Sequence, residues 1–240
     1  MQQNKYDINY YKGELLLMRI RFKPWARPEL EASYFYEDNP EDYKGKWITK
    51  FKNKNNPIYL ELGCGKGSFI SELAFQNQKI NYIAIDLVDA MLGLAKRKVE
   101  ENYNEHNKKV ENLILVRYDI ERINNIIDCN DNIQRIYINF CNPWPKAKHK
   151  KKRLTHTKQL AHYKELLKPG AEIYFKTDDD GLFQDSLQYF EDSDFTIIKK
   201  TYDLHKEDIF NGNNIITEHE KMFSEEGIKI KACIAQLKEK

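Results

Sequence analysis

From residue 57 onward, apolar runs of strand length alternate with stretches of helical period. Runs at 58–62, 82–85, 113–116, 136–140, 172–175, 195–199 and 229–235 predict strands. Between the second and third, Val88, Met91, Leu92, Ala95 and Val99 fall at i, i+3, i+4, i+7 and i+11, one face of a helix. Phe183, Leu187 and Phe190 repeat this spacing, and Leu160, Tyr163 and Leu167 mark a helix stopped by Lys168-Pro169-Gly170. Strands separated by helices imply parallel neighbours with right-handed crossovers. The expected fold is therefore α/β: a doubly wound, mostly parallel seven-stranded sheet.

Residues 1–56 break the rhythm, being aromatic-rich, proline-punctuated and mixed in charge. They are expected to form an N-terminal extension packed on the core, with about the first ten residues loose. No run of about 18 apolar residues is present, so no membrane span is expected. The start lacks the apolar core of a secretory signal, which points to the cytoplasm. Cys64, Cys129, Cys141 and Cys233 show neither C-x-x-C nor His-Cys spacing, so neither a metal site nor a disulfide framework is expected. The histidines lack metal spacing as well, and no G-x-S-x-G elbow suggests a serine hydrolase.

The first strand ends in Glu61 and runs into Gly63, Gly65 and Gly67, after which a helical stretch opens at Ser68. Glycines at a strand-to-helix turn let backbone approach a ligand in the crevice at the sheet's edge. The third glycine comes one residue too early for the dinucleotide fingerprint G-x-G-x-x-G. The E-x-G-x-G-x-G pattern is instead similar to motif I of S-adenosylmethionine-dependent methyltransferases. Asp86 ends the second strand about 20 residues on, where an acidic group can accept ribose hydroxyls. Asp119 follows the third strand, beside the place the adenine would take.

At the end of the fourth strand stands Asn142-Pro143-Trp144-Pro145, a turn that its prolines make rigid. Residues 146–153 then carry six Lys/Arg in eight positions. With a formal net charge of only +2, any affinity for nucleic acid must come from such local concentration. Asn142-Pro143-Trp144 is compatible with holding an exocyclic amine, as in the N-P-P-Y-like loops of amino-methyltransferases. A third reading is an RNA-binding module without catalysis.

The segment NPWPKAKHKKKRLTH strongly resembles the D-P-W-P-K-x-R-H-x-K-R-R-L segment of the tRNA (guanine-N7)-methyltransferases. MRIRFKPWA, KGKW, LELGCGKG, FKTDDDGLF and ITEHE have counterparts there in the same order. The resemblance covers most of the chain from Met18 on and implies a class I, Rossmann-like methyltransferase domain over residues 57–240. It implies methyl transfer from S-adenosylmethionine, without a metal, to N7 of a guanine in tRNA, at position 46 of the variable loop. No obligate protein partner is implied, and the chain would be a monomer or a homodimer. Donor binding falls to Glu61, Asp86, Asp119 and Asn142, with Gly63, Gly65 and Gly67 shaping the loop. Substrate contacts fall to Lys146, Lys148, His149, Lys150, Lys151, Lys152, Arg153, Asp178, Thr217, Glu218, His219 and Glu220, and catalysis to Asn142 and Asp178. Two positions depart from the family pattern: Asn142 replaces an aspartate, and His219 a tyrosine common in bacterial members.

The chemistry suits these residues. Guanine N7 carries an in-plane lone pair at neutral pH, so no general base is required; alignment in a water-poor pocket is, and good alignment contributes roughly 7–11 kcal/mol. Positive charge moves onto the ring, so a carboxylate at Asp178, Glu218 or Glu220 would help, and would accept the guanine N1–H and N2–H₂. Asn142 offers a carbonyl acceptor but no charge. The Lys/Arg run suits phosphates, and Arg19, Arg21, Lys23 and Arg27 with Phe22 and Trp25 form a second basic-aromatic stretch that either packs on the core or touches RNA.

Overall fold

The computed structural model describes residues 7–11, 14–18 and 21–239. β1 (Asp7–Tyr11) and β2 (Glu14–Met18) form an antiparallel hairpin, while residues 1–6 and Arg19, both covered by expectations above, lie outside the described residues. The main sheet has eight strands in the order β3-β6-β5-β4-β7-β8-β10-β9. These are β3 (Tyr36–Glu37), β4 (Ile58–Leu62), β5 (Asn81–Asp86), β6 (Leu113–Arg117), β7 (Ile133–Asn139), β8 (Leu167–Thr177), β9 (Phe195–Thr201) and β10 (Lys231–Leu237). All neighbours are parallel except β10, which runs antiparallel to both β8 and β9.

The apolar runs become strands because both faces of the sheet are covered: Leu60, Ile83, Leu115, Ile136, Ile138, Ile173 and Phe175 are all at 0% exposure. α2 (Ser68–Gln76) and α3 (Asp89–Glu105) follow strands that step one way across the sheet; α4 (Thr157–Leu166) and α5 (Asp180–Asp192) follow strands that step the other way. Right-handed crossovers in opposite directions put the two pairs on opposite faces. The order reverses between β4 and β7, so the ligand crevice of such a fold lies outside their carboxyl ends.

The periodic helix residues face inward as expected, with Leu92, Ala95, Val99, Leu160, Tyr163, Phe183 and Phe190 at 0% exposure. Several details differ from the sequence reading, the first being that Asp7–Tyr11 is paired as a strand where a loose start was expected. Leu167 is the first residue of β8 rather than the end of α4, and Lys168-Pro169-Gly170 lies within β8 where its register against β7 shifts. Phe140 has left β7 with φ +50°. An eighth strand is added by Tyr36–Glu37, too short for any periodicity to show, pairing with Leu115 and Val116 of β6.

The segment before β4 is tied to the core through Trp47, which is fully buried and donates from Nε1 to the carbonyl of Ile126 at 2.6 Å. Its backbone N–H and that of Gly45 both donate to the Asp131 carboxylate at 2.9 Å. α1 (Ala26–Glu31) packs on α3 through Ala26 and Leu30, both at 0% exposure. Trp47→Ala removes a large buried ring and an indole hydrogen bond, so it should cost about 3–5 kcal/mol. Urea unfolding would show this as a lowered midpoint at unchanged slope; a loss below about 1 kcal/mol would mean that this segment lies outside the cooperative core.

Candidate methyl-transfer site

Because the central strands are parallel, their carboxyl ends bring five sequence-predicted positions to one edge. Across the sheet they run Asp119 after β6, Asp86 at the end of β5, Glu61 in β4, Asn142 after β7 and Asp178 after β8. The three acidic groups lie on one side of the topological switch; the proline loop and Asp178 lie on the other.

The glycine turn is stitched to β5. Gly63 and Cys64 donate to the carbonyl of Ile85 at 2.8 and 3.1 Å. Gly65 N–H donates to Asp86 Oδ2 and Val88 N–H to Asp86 Oδ1, both at 2.9 Å. Asp86 thus ties the glycine loop to the turn that leads into α3, leaving one lone pair on each oxygen for a ligand. Asp119 caps the turn that follows it, accepting from Glu121 N–H at 3.0 Å. The glycines divide by role. A Cβ at Gly67, where φ is +75°, would lie 2.6 Å from Ala95 Cβ, so this glycine lets α2 meet α3. A Cβ at Gly65, φ +53°, would meet nothing within 4 Å, so this backbone faces open space.

Glu61 is 2% exposed; its Oε1 accepts from Asn139 Nδ2 at 3.3 Å, and its Oε2 has no partner among the described residues. Cys141 is pushed up to about 12 by burial and Cys64 is raised for the same reason, so neither supplies a thiolate. Among the described residues no group of three His, Cys, Asp or Glu side chains is arranged to hold a metal ion.

The proline loop is strained, with Trp144 at φ +41° two residues after Asn142. Asn142 Oδ1 accepts from Trp144 N–H at 3.0 Å, turning the amide back onto its own loop. The basic run that follows is a 3-10 turn over Ala147–Lys152. Lys146, Lys148, Lys151 and Lys152 are exposed and make no ion pair among the described residues. Lys152 Nζ lies 4.9 Å from the Trp144 ring and the His149 ring 5.7 Å from it. Lys150 pairs with Asp185 at 2.6 Å. Arg153 stands apart from the other cations of the run: its side chain is 3% exposed, donating from Nε to the Pro143 carbonyl and from Nη1 to Asp185 Oδ2.

Burial also raises the Asp178 carboxyl, and that group accepts no side-chain hydrogen bond among the described residues. Lys231 Nζ fixes its backbone carbonyl at 2.9 Å. α6 (Glu218–Glu225) carries the ITEHE segment. Thr217 Oγ1 caps it by accepting from Glu220 N–H at 3.0 Å. Glu218 pairs with Lys98 at 2.5 Å and with Lys66 of the glycine loop at 3.9 Å. The His219 ring stacks against Phe140, centroids 6.1 Å apart and planes 21° apart. Glu220 is fully buried: at 0% exposure it pairs with Lys176 at 2.8 Å and accepts from Asn214 at 2.7 Å. Lys176, Asn139, Lys98 and Asp185 were not anticipated. The available signal is a lysine, Lys176, directly after the apolar run Ile173–Phe175 and within reach of a buried strand end. In the N-terminal stretch Phe22 is 79% exposed, whereas Trp25 packs under Arg97 at 3.5 Å and Arg27 pairs with Glu31.

Burial lifts the Glu61 carboxyl to about 8, while Asn139 and Lys176 pull it down. With a folded value above the unfolded one, the native state keeps the proton while the unfolded chain releases it. The contribution to stability is complete below the ordinary value of 4.5 and is lost as pH rises to about 8. Glu61→Gln should flatten the fall in unfolding free energy across that window in a series of urea titrations; parallel curves for the two proteins would show that Glu61 does not titrate there.

Residues 55–233 match the family model described as "Putative methyltransferase". A tRNA (guanine-N(7)-)-methyltransferase of Ruminiclostridium cellulolyticum is 59% identical over 224 residues, covering 93% of this chain and 94% of the relative. One from Clostridium botulinum is 59% identical over 218 residues, covering 91% and 98%. Among solved structures, an antibiotic-related methyltransferase superposes with TM-score 0.55 at 18% identity over 82% of this chain and 92% of that one. The 16S rRNA methyltransferase KamB does so with TM-score 0.54 at 12% identity over 92% and 97%. The structural neighbours share the class I methyltransferase fold, and the sequence relatives show that the chain belongs to the tRNA (guanine-N7)-methyltransferase family.

Proposed function

We propose that this protein transfers a methyl group from S-adenosylmethionine to N7 of a guanine in tRNA, at position 46 of the variable loop, in the cytoplasm. The observation that carries this reading is 59% identity to a tRNA (guanine-N(7)-)-methyltransferase across 93% of the chain. The geometry supports it: Glu61, Asp86, Asp119, Asn142 and Asp178 stand in one row along the crevice edge.

The residues fit the donor. Open space at Gly65 and the unpartnered Oε2 of Glu61 leave room and an acceptor for it, and Asp86 and Asp119 keep acceptor capacity beyond their backbone bonds. When bound, the donor supplies a methyl group on a sulfonium sulfur. Guanine N7 attacks with its own lone pair, so the protein's part is to align the base, keep water out and stabilise the positive charge that reaches the ring. Of the three carboxylates considered for the guanine edge, Glu220 is committed to Lys176 and Glu218 to Lys98. Asp178 is left, and its raised protonation range, caused by burial, matches a site where a cationic ring restores the charged form. Lys146, Lys148, Lys151 and Lys152 take phosphates. Methylation of an exocyclic amine is supported less well, since the relatives at 59% identity carry names that specify guanine N7.

Incubation with methyl-labelled S-adenosylmethionine and unmodified tRNA should give label at a site cleaved by the chemistry specific for 7-methylguanosine; label on an adenine amine would contradict the reading. Asp178→Asn should lower kcat/KM by roughly 10- to 100-fold, and full activity would exclude it from the guanine edge. Asn142→Asp, which keeps the acceptor of the Trp144 turn, should hold or raise the rate. Loss of all activity in that variant would show that the loop is wrongly assigned.

A further inference from the structure

We propose that Arg153 is a positioning residue that locks the Asn142–Pro145 rim in register with Asp178, and that it makes no contact with tRNA. The inference rests on the methyl-transfer reading and separates Arg153 from the lysines around it.

The rim has little to hold it. Pro143 and Pro145 have no N–H, Trp144 spends its own on Asn142, and its φ of +41° is unfavourable for a bulky residue. Among the described residues, one hydrogen bond joins residues 142–145 to the rest of the chain: Arg153 Nε to the Pro143 carbonyl at 2.6 Å. The same guanidinium donates from Nη1 to Asp185 Oδ2 at 2.5 Å, and Lys150 Nζ reaches that oxygen at 2.6 Å. Asp185 belongs to α5, which begins two residues after Asp178. A single planar fork therefore ties the loop after β7 to the helix after β8, the two elements that carry Asn142 and Asp178.

The choice of arginine follows. A guanidinium at 3% exposure is costly unless each face of its fork is met, and here a carbonyl and a carboxylate meet it at once. An ammonium is a point charge and cannot hold both directions rigidly. A residue so enclosed contributes no counterion release on RNA binding, whereas each exposed lysine that meets a phosphate steepens the salt dependence by roughly 0.7–0.9.

The test compares Arg153→Met, Arg153→Lys and Asp185→Asn with Lys151→Ala, measuring the single-turnover methylation rate at saturating tRNA and the slope of log affinity for tRNA against log salt. The proposal expects Arg153→Met to lose at least tenfold in saturated rate with an unchanged slope. Arg153→Lys should fail to rescue it, and Asp185→Asn should reproduce the loss although the arginine is still there. Lys151→Ala, at an exposed lysine that meets a phosphate, should reduce the slope. A reduced slope with a normal saturated rate in Arg153→Met would make Arg153 a phosphate contact and overturn the proposal, as would wild-type rates in both Arg153→Met and Asp185→Asn. If Arg153→Met does not fold, Asp185→Asn, which keeps every cation, decides on the same criteria. Wild-type protein is assayed alongside: no methylation there would count against the proposed function itself, independently of Arg153.

Discussion

The buried ion pair between Lys176 and Glu220 joins the two parts of this site. Lys176 stands near the end of β8 at 2% exposure, in a position where an unpaired ammonium would be untenable. Besides Glu220 it donates to the Ile215 carbonyl and to Asn214 Oδ1, both at 3.0 Å, so it orders the approach to α6 as well as the helix itself. Burial lowers its protonation range and Glu220 then holds the charged form in place. That same charge reaches Glu61, where it opposes the effect of burial on the carboxyl. One lysine thus docks the ITEHE segment on the sheet and moderates the group proposed to face the donor.

A common design runs through the cations of this chain. Overall charge is nearly balanced at +2, and the basic groups divide into those spent inside the fold and those left outside. Arg153 and Lys176 are enclosed and fix loops; Lys146, Lys148, Lys151 and Lys152 are exposed and available for phosphates. A module that only held RNA would need the second set alone. A buried Glu61 and an open glycine turn braced by Asp86 serve a small ligand, which favours an enzyme over a binding module.

Much of this was legible in the sequence, because alternation of apolar runs with helical periods reflects two-sided burial of a parallel sheet. β4 begins and ends where its apolar run does, and the row of polar residues at strand ends follows from parallel topology. Partnership was not legible. Arg153 looks like its neighbours in the basic run until Asp185, on another helix, is seen beside it. Glu220 sits in a motif suggestive of substrate contact, yet its partner is 44 residues away on β8. The two-residue strand at Tyr36 and the departure of Phe140 from β7 depend on neighbouring chain rather than on local pattern, so they too appear only in three dimensions.

The central claim is that the nucleophile is guanine N7, attacking without a protein base. It is tested most directly by measuring single-turnover methylation of a tRNA whose target guanosine is replaced by 7-deazaguanosine, which keeps the Watson–Crick edge but has a carbon in place of N7. The account predicts that this tRNA binds as tightly as the unsubstituted one and accepts no methyl group. Methylation of the substituted tRNA at the normal rate would place the accepting atom elsewhere on the base and contradict it.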